Sequence, residues 1–309
     1  MSGRAEAIVL GFADYREQGQ RLAQAAGLAY AEIRLHAFPD GESLLRLPER
    51  LPPHVVFCRP LIDANRRLIE LELAMATAER LGASRLTLVA PYLCYMRQDK
   101  AFQAGEAISQ RIIGDFLAHR LDTLITVDPH LHRIRSLAEA VPVRSAVAVS
   151  AASVMASWLG RQGTAPLVVG PDEESEQWVS AIARPGGLEY CVARKQRYGD
   201  RDIRIVMPEV HFRDRDVVLA DDVVSTGTTL AEAAQQIMDR GARSLTAMVS
   251  HAVFAEGSLD RLRSAGVTRI VSTDSIPHSS NALRLHHLLA AALMAEPGMQ
   301  AGTASGGAA

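Results

Sequence analysis

The stretch Arg215–Arg240, RDVVLADDVVSTGTTLAEAAQQIMDR, decides the reading of the fold. An apolar strand pattern, Val217–Ala220, ends in two adjacent carboxylates, Asp221 and Asp222. A tight polar turn follows, Ser225-Thr226-Gly227-Thr228-Thr229, and a helical pattern opens at Leu230. Small residues in such a turn let several backbone N–H groups converge on one anion, and the helix N-terminus adds favourable partial positive charge. Gly227 permits a close or left-handed backbone, while the Ser and Thr hydroxyls supply further donors. Two acids before an anion site would repel a phosphate, but they make sense if they hold sugar hydroxyls, or a metal ion, beside it. The pattern therefore predicts a phosphosugar site. A Walker-type loop is excluded, because no Gly-Lys-Ser/Thr occurs here.

Outward from this stretch, short β-rich runs alternate with longer amphipathic ones. Strands are expected at Ala7–Phe12, Val55–Cys58, Leu86–Ala90, Thr123–Val127, Leu167–Val169, Val217–Ala220, Leu245–Ser250 and Arg269–Ser272. Several are apolar throughout, as strands covered on both faces are. Helices are expected at Ala64–Leu81, Ile108–His119, Ala151–Leu159, Thr229–Arg240 and Ala282–Met294, with Gly82 and Gly241 placed as left-handed caps. This alternation predicts an α/β fold with mostly parallel sheets. ERLGASRLTLV at Glu79–Val89 is echoed by DRGARSLTAMV at Asp239–Val249, about half a chain later. With the length of 309 residues, the echo predicts two similar domains, 1–145 and 146–295, followed by a flexible Gly/Ala-rich tail, 296–309.

Composition narrows the function classes. The net charge of −2 argues against a general nucleic-acid binder. No apolar run is long enough to span a membrane, and the start MSGRAEAIVL is not a secretory signal. Cys58, Cys94 and Cys191 form neither a metal-like pair nor a disulfide framework, so a reduced cytoplasmic compartment is expected. All 33 basic residues are Arg except Lys100 and Lys195. A compact ammonium does what the planar Arg fork does not, which makes both lysines candidates for chemistry.

The Asp221–Thr229 segment resembles the phosphoribosyl-diphosphate (PRPP) motif of the phosphoribosyltransferase fold. Further blocks resemble ribose-phosphate diphosphokinases: Phe38-Pro39-Asp40-Gly41-Glu42, then Pro91-Tyr92 with Tyr95-Met96-Arg97-Gln98-Asp99-Lys100, then Asp128-Pro129-His130. Pro171-Asp172 and Lys195-Gln196-Arg197 match that family's PD and K-x-R positions. The resemblance runs from about Phe38 to Pro277, with the blocks in family order. It implies two phosphoribosyltransferase-like domains, each a mostly parallel sheet flanked by helices. It also implies ATP binding by Phe38, Asp40, Glu42, Arg97, Gln98, Asp99 and Lys100, and Mg²⁺ at His130 and Asp172, with His132 the competing histidine. Asp221, Asp222, Ser225, Thr226, Gly227, Thr228 and Thr229 would hold ribose 5-phosphate, and Lys195 and Arg197 would be catalytic. Tyr198-Gly199-Asp200 would begin a short mobile loop. Members of the family form dimer-based assemblies, often hexamers, so a homo-oligomer is implied.

The chain departs from the family where Glu173-Glu174-Ser175-Glu176 replaces small residues after the PD pair, and where Thr228 replaces a glycine. Two other readings share part of this pattern. A salvage phosphoribosyltransferase consuming PRPP would share Asp221–Thr229 but would not need the RQDK block. A non-catalytic regulatory subunit of the same family would tend to lose the catalytic positions, which are present here.

Overall fold

The structure, a computed structural model, describes residues 7–131, 133–197 and 203–300; the side chains of 195–197, 203, 204 and 300 lie outside that description. Two units form. The first comprises residues up to Val149 together with His286 onward, and the second is Ser150–Leu285.

The first unit contains β1 (Ala7–Phe12), α1 (Arg16–Ala26), β2 (Ala29–Ala37), β3 (Ser43–Arg46), β4 (His54–Cys58), α2 (Ala64–Arg80), β5 (Arg85–Ala90), α3 (Ser109–Ala118), β6 (Thr123–Val127), α4 (Leu137–Ala140) and β7 (Ser145–Val149). The sheet order is β3-β2-β1-β4-β5-β6-β7, with every pairing parallel except β2–β3. β4 and β6 are buried at every position, as the Val, Ile, Leu and Phe that dominate them favour. The helices cover an apolar core that includes Leu10, Phe57, Leu71, Leu88 and Leu124, each such side chain contributing about 1.5–3 kcal/mol on burial. At the β4–β5 pairing, His54 is buried with its Nε2 2.9 Å from Thr87 Oγ1. Burial, and then the charge of Arg85, push its imidazole down to about 4, against an opposing effect of Asp122.

The second unit contains α5 (Ala152–Gly160), β8 (Leu167–Gly170), α6 (Glu176–Ala183), β9 (Tyr190–Val192), β10 (Arg194–Arg197), β11 (Ile203–Val206), β12 (Asp216–Val224), α7 (Thr228–Asp239), β13 (Ser244–Ala252), α8 (Ser258–Ser264), β14 (Arg269–Thr273) and β15 (Asn281–Leu283). Six strands form a wholly parallel sheet, β15-β14-β13-β12-β8-β9, and β10–β11 is a separate antiparallel hairpin. In each unit the chain reverses its direction across the sheet once, between β1 and β4 and between β8 and β12. Those are the switch points at which open α/β sheets take ligands. The sequence echo maps onto matching elements, α2–β5 and α7–β13, each the first helix and second strand beyond its switch point.

Three expectations are corrected. The strand through Val217 does not stop at Ala220, because its ladder with β13 continues through Val223↔His251 and Val224↔Ala252, so both acids lie within β12. The helix expected from Ala282 begins only at His286, because Asn281 Nδ2 bonds Ser272 Oγ (2.9 Å) and Thr273 O (2.6 Å) and draws Asn281–Leu283 onto the sheet edge. The last helices, α9 (His286–Ala295) and α10 (Pro297–Gln300), belong with the first unit instead of closing the second. There α9 packs on α1, and buried Glu296 accepts from Thr123 Oγ1 (3.2 Å) and Ser145 Oγ (3.0 Å), so the expected tail begins as an anchored segment. Residues 301–309 of that tail lie outside the described residues. Among the described residues no helix is long and apolar enough to cross a membrane.

Candidate functional site

The expected phosphosugar residues converge at the β8–β12 switch point. After Val224 the chain turns through Ser225 and Thr226 to Gly227, which takes the left-handed conformation (φ 71°) and serves as N-cap of α7. A glycine cap has no side chain to satisfy the first-turn amides, so they stay directed at the space ahead of the helix. The turn is held from behind. Ala255 N–H donates to Ser225 O (3.0 Å), Arg261 Nη1 donates to Thr226 O, and the Thr226 and Thr228 hydroxyls lie 3.3 Å apart. Arg261 and Ala255 were not legible as site residues, since they come from the loop after β13 and its helix.

Asp221 and Asp222 alternate across β12; Asp222 is buried and Asp221 half-buried. Asp172 stands just past β8 and is also buried. Its carboxylate accepts from Ser175 N–H (3.2 Å) and its carbonyl from Ser175 Oγ (2.5 Å). The Asp221 carboxyl is held well above the ordinary carboxylate range, first by burial and then by the charges of Asp222 and Asp172. These acids form a locus of negative charge that favours a cation or hydroxyl donors. The acidic departure after Asp172 has a simple resolution. Ser175 alone turns inward, against Gly170, while Glu173, Glu174 and Glu176 are exposed.

The first unit's switch point is built differently. Asp14 stands past β1 as Asp172 stands past β8, Asp14 within a short 3₁₀ turn and Asp172 at the start of one. Here Arg59, the residue after β4, stands at the switch point. It is fully buried, lies 4.0 Å over the Phe12 ring and pairs with Asp14 (2.7 Å) and buried Glu70 (2.5 Å). In the second unit the matching strand, β12, carries acidic side chains instead.

The expected ATP residues occupy two loops of the first unit. Phe38, Asp40 and Glu42 form the exposed β2–β3 turn, closed by Phe38 N–H to Glu42 O (2.8 Å) and Gly41 N–H to Phe38 O (3.0 Å). Arg97 and Lys100 are exposed after β5. Tyr95 is left-handed (φ 61°) and bonds Asn65 through its hydroxyl, and Gln98 is tied to α3 by Ser109 Oγ (3.1 Å) and Gln110 N–H (3.2 Å). Asp99 differs from its neighbours: its side chain is buried and pairs with Arg133 (2.6 Å), tethering this loop to the segment that carries His130. Arg133 carried no motif signal in the sequence. Asp63, Tyr95 and Asp128, all left-handed without being glycine, follow β4, β5 and β6 in turn, a clustering of strain typical of ligand-binding ends. His130 is half-buried; His132 and Tyr198–Asp200 lie outside the described residues.

Lys195 and Arg197 sit on β10, in register with Ile205 and Ile203 of β11. Burial pushes the Cys94 thiol up to about 12 and Cys191 to about 11, so neither is a thiolate nucleophile at neutral pH. Among the described residues no group of three His, Cys, Asp or Glu is arranged to hold a metal ion by itself. Mg²⁺ needs no such cage, since it keeps waters and takes one or two carboxylates plus substrate phosphates. The oxygen donors around Asp172 and Asp221 fit it.

Comparison with known proteins assigns the family. Residues 7–120 match the N-terminal domain of ribose phosphate pyrophosphokinase, and 146–284 match the phosphoribosyl transferase domain. The ribose-phosphate pyrophosphokinase of Methanopyrus kandleri is 32% identical, across 88% of this chain and 93% of that protein. The chain belongs to the ribose-phosphate pyrophosphokinase family. Ribose-phosphate pyrophosphokinase 2 of Archaeoglobus fulgidus is likewise 32% identical, over 88% of this chain and 94% of its own. The crystal structure of phosphoribosylpyrophosphate synthetase from Mycobacterium smegmatis shares the fold, with a TM-score of 0.80 at 23% identity, covering 94% of this chain and 98% of that one.

Proposed function

We propose that this pyrophosphokinase transfers the β,γ-diphosphoryl group of ATP to O1 of ribose 5-phosphate, giving PRPP and AMP. The observation that carries this reading is the Gly227-capped turn opening α7 beside Asp221, Asp222 and Asp172. Ser225, Thr226, Gly227, Thr228 and Thr229 hold the 5-phosphate by amides and hydroxyls. Asp221 and Asp222 accept from the ribose hydroxyls and so orient O1. Phe38, Asp40, Glu42, Arg97, Gln98 and Lys100 hold ATP, with Asp99 acting through Arg133 rather than on the nucleotide. Asp172 is the carboxylate for Mg²⁺, and His130 the imidazole the family pattern gives it. When bound, the ion neutralises charge on the transferring phosphates. Lys195 and Arg197 stabilise charge on the bridging and equatorial oxygens while the two anions are held in line. The protein works as a cytoplasmic homo-oligomer in this reading.

The direct test mixes purified protein with Mg·ATP and ribose 5-phosphate and follows phosphorus resonances. Stoichiometric AMP and PRPP are expected. Base-dependent loss of PRPP would instead identify a salvage transferase, and inactivity with co-purification of a second synthetase chain a regulatory subunit. Lys195→Ala is expected to lower turnover about 100-fold or more while the fold survives; near-normal turnover would remove Lys195 from the chemistry.

A further inference from the structure

The hairpin β10–β11 lies outside the second unit's sheet, so among the described residues β11 has a ladder partner on one side only. In an antiparallel pair the N–H and C=O of one residue point the same way, either both toward the partner strand or both away from it. At Ile205 both groups are taken by α7: its N–H donates to Glu232 Oε1 (3.0 Å), and its carbonyl accepts from Gln236 Nε2 (2.7 Å). The Lys195↔Ile205 pair is therefore a non-hydrogen-bonded one, and the outward polar groups of Ile205 are received by a helix. Farther along, Arg240 Nη1 donates to Pro208 O (2.8 Å). Residues 232, 236 and 240 are spaced four apart and share one face of the helix. The side chains of Ile205 and Met207 are meanwhile buried in the core beneath.

We propose that Glu232 and Gln236, continued by Arg240, moor the hairpin to α7 and are positioning residues for Lys195. The physical reason lies in what α7 is. Its first turn ends the phosphate loop, and Glu232 and Gln236 follow about 6 and 12 Å along the same axis. One stiff element thus carries the sugar-phosphate turn at its tip and fixes the strand position opposite Lys195 on its flank. An apolar face at 232 and 236 would cover Ile205 equally well but would leave two peptide groups unpaired and the strand free to slip along the helix. The proposal rests on the reading of Lys195 as the transfer lysine.

The test measures kcat and KM for both substrates in the full chain. Glu232→Leu and Gln236→Leu are expected to lower kcat about 10- to 100-fold, the range for a small misplacement of a catalytic group, with calorimetric binding of ribose 5-phosphate unchanged. Glu232→Gln keeps a side-chain carbonyl for the Ile205 N–H and is expected to recover most of the turnover. In a Lys195→Ala background, Glu232→Leu is expected to add nothing. Wild-type kcat in both leucine variants would overturn the proposal, as would a Gln variant as slow as Leu or a full additional loss in the Lys195→Ala background. Normal turnover of Lys195→Ala alone would instead remove the underlying reading of the lysine, and the mooring role with it.

Discussion

His54 gives the chain a calculable acid sensitivity. The imidazole is buried against Thr87, and its pKa falls from 6.5 to about 4, through burial and then the charge of Arg85. Above pH 6.5 the ring is neutral in both the folded and unfolded chains, and its contribution to stability is fully present. As the pH falls below 6.5, the unfolded chain binds a proton that the folded chain refuses, so stability is lost progressively until the pH passes the folded value of about 4. At 1.36 kcal/mol per pH unit, the gap amounts to about 3 kcal/mol in all and about 2 kcal/mol by pH 5. The perturbation is His54→Gln, whose amide can still meet the Thr87 hydroxyl. Urea unfolding of both chains from pH 8 to pH 4, followed by circular dichroism and by hydrogen exchange of the β4 and β5 amides, yields a difference curve in which the other titrating groups cancel. That curve should be flat above pH 6.5 and tilt in favour of Gln below it. Parallel stability profiles across the whole range would refute the reasoning, because they would mean that the buried ring accepts a proton as readily as a solvated one.

Other outcomes follow from the site. Gly227→Ala puts a side chain on a left-handed residue whose new Cβ would meet only ordinary contacts near 3.6 Å, so the cost of about 1–2 kcal/mol comes from the backbone. Steady-state kinetics should show KM for ribose 5-phosphate rising about 10-fold, as 1.4 kcal/mol is tenfold in affinity, with KM for ATP unmoved. A carboxyl whose pKa folding has raised favours the folded state only while protonated, and that advantage is lost as pH rises through its folded value. Asp221→Asn should therefore melt at a higher temperature than wild type at neutral pH, while turnover falls about 100-fold. Asp99→Ala cuts the tether to Arg133 and should raise KM for ATP while calorimetric binding of ribose 5-phosphate stays constant; unchanged ATP kinetics would show that the tether is idle.

The apolar central strands were legible because they are buried on both faces, so composition alone marks them; β6 coincides with its expected span. The turn from Ser225 to Thr229 was legible for the opposite reason, since its chemistry is local to a few consecutive residues. What escaped depends on contacts distant in sequence. Carboxylates at 221 and 222 look like the end of a strand, yet the ladder with β13 carries them inside it. Nothing in the amphipathic run near residue 290 says which sheet it covers, and that is decided by α1 and by Glu296 meeting Thr123 and Ser145. Asp99 reads as one more polar loop residue until Arg133 is brought to it. Arg59, in a chain rich in arginine, carries no local mark of its burial.

That arginine has a wider consequence. With its guanidinium seated over Phe12, the N-terminal half carries a buried cation at the switch point of its sheet. In the proposed reading, nucleotide recognition there falls to loop tips, which can change length and sequence without disturbing the strands beneath. The two halves thus diverge at the strand beyond each switch point: a buried cation follows β4, whereas carboxylates lie within β12.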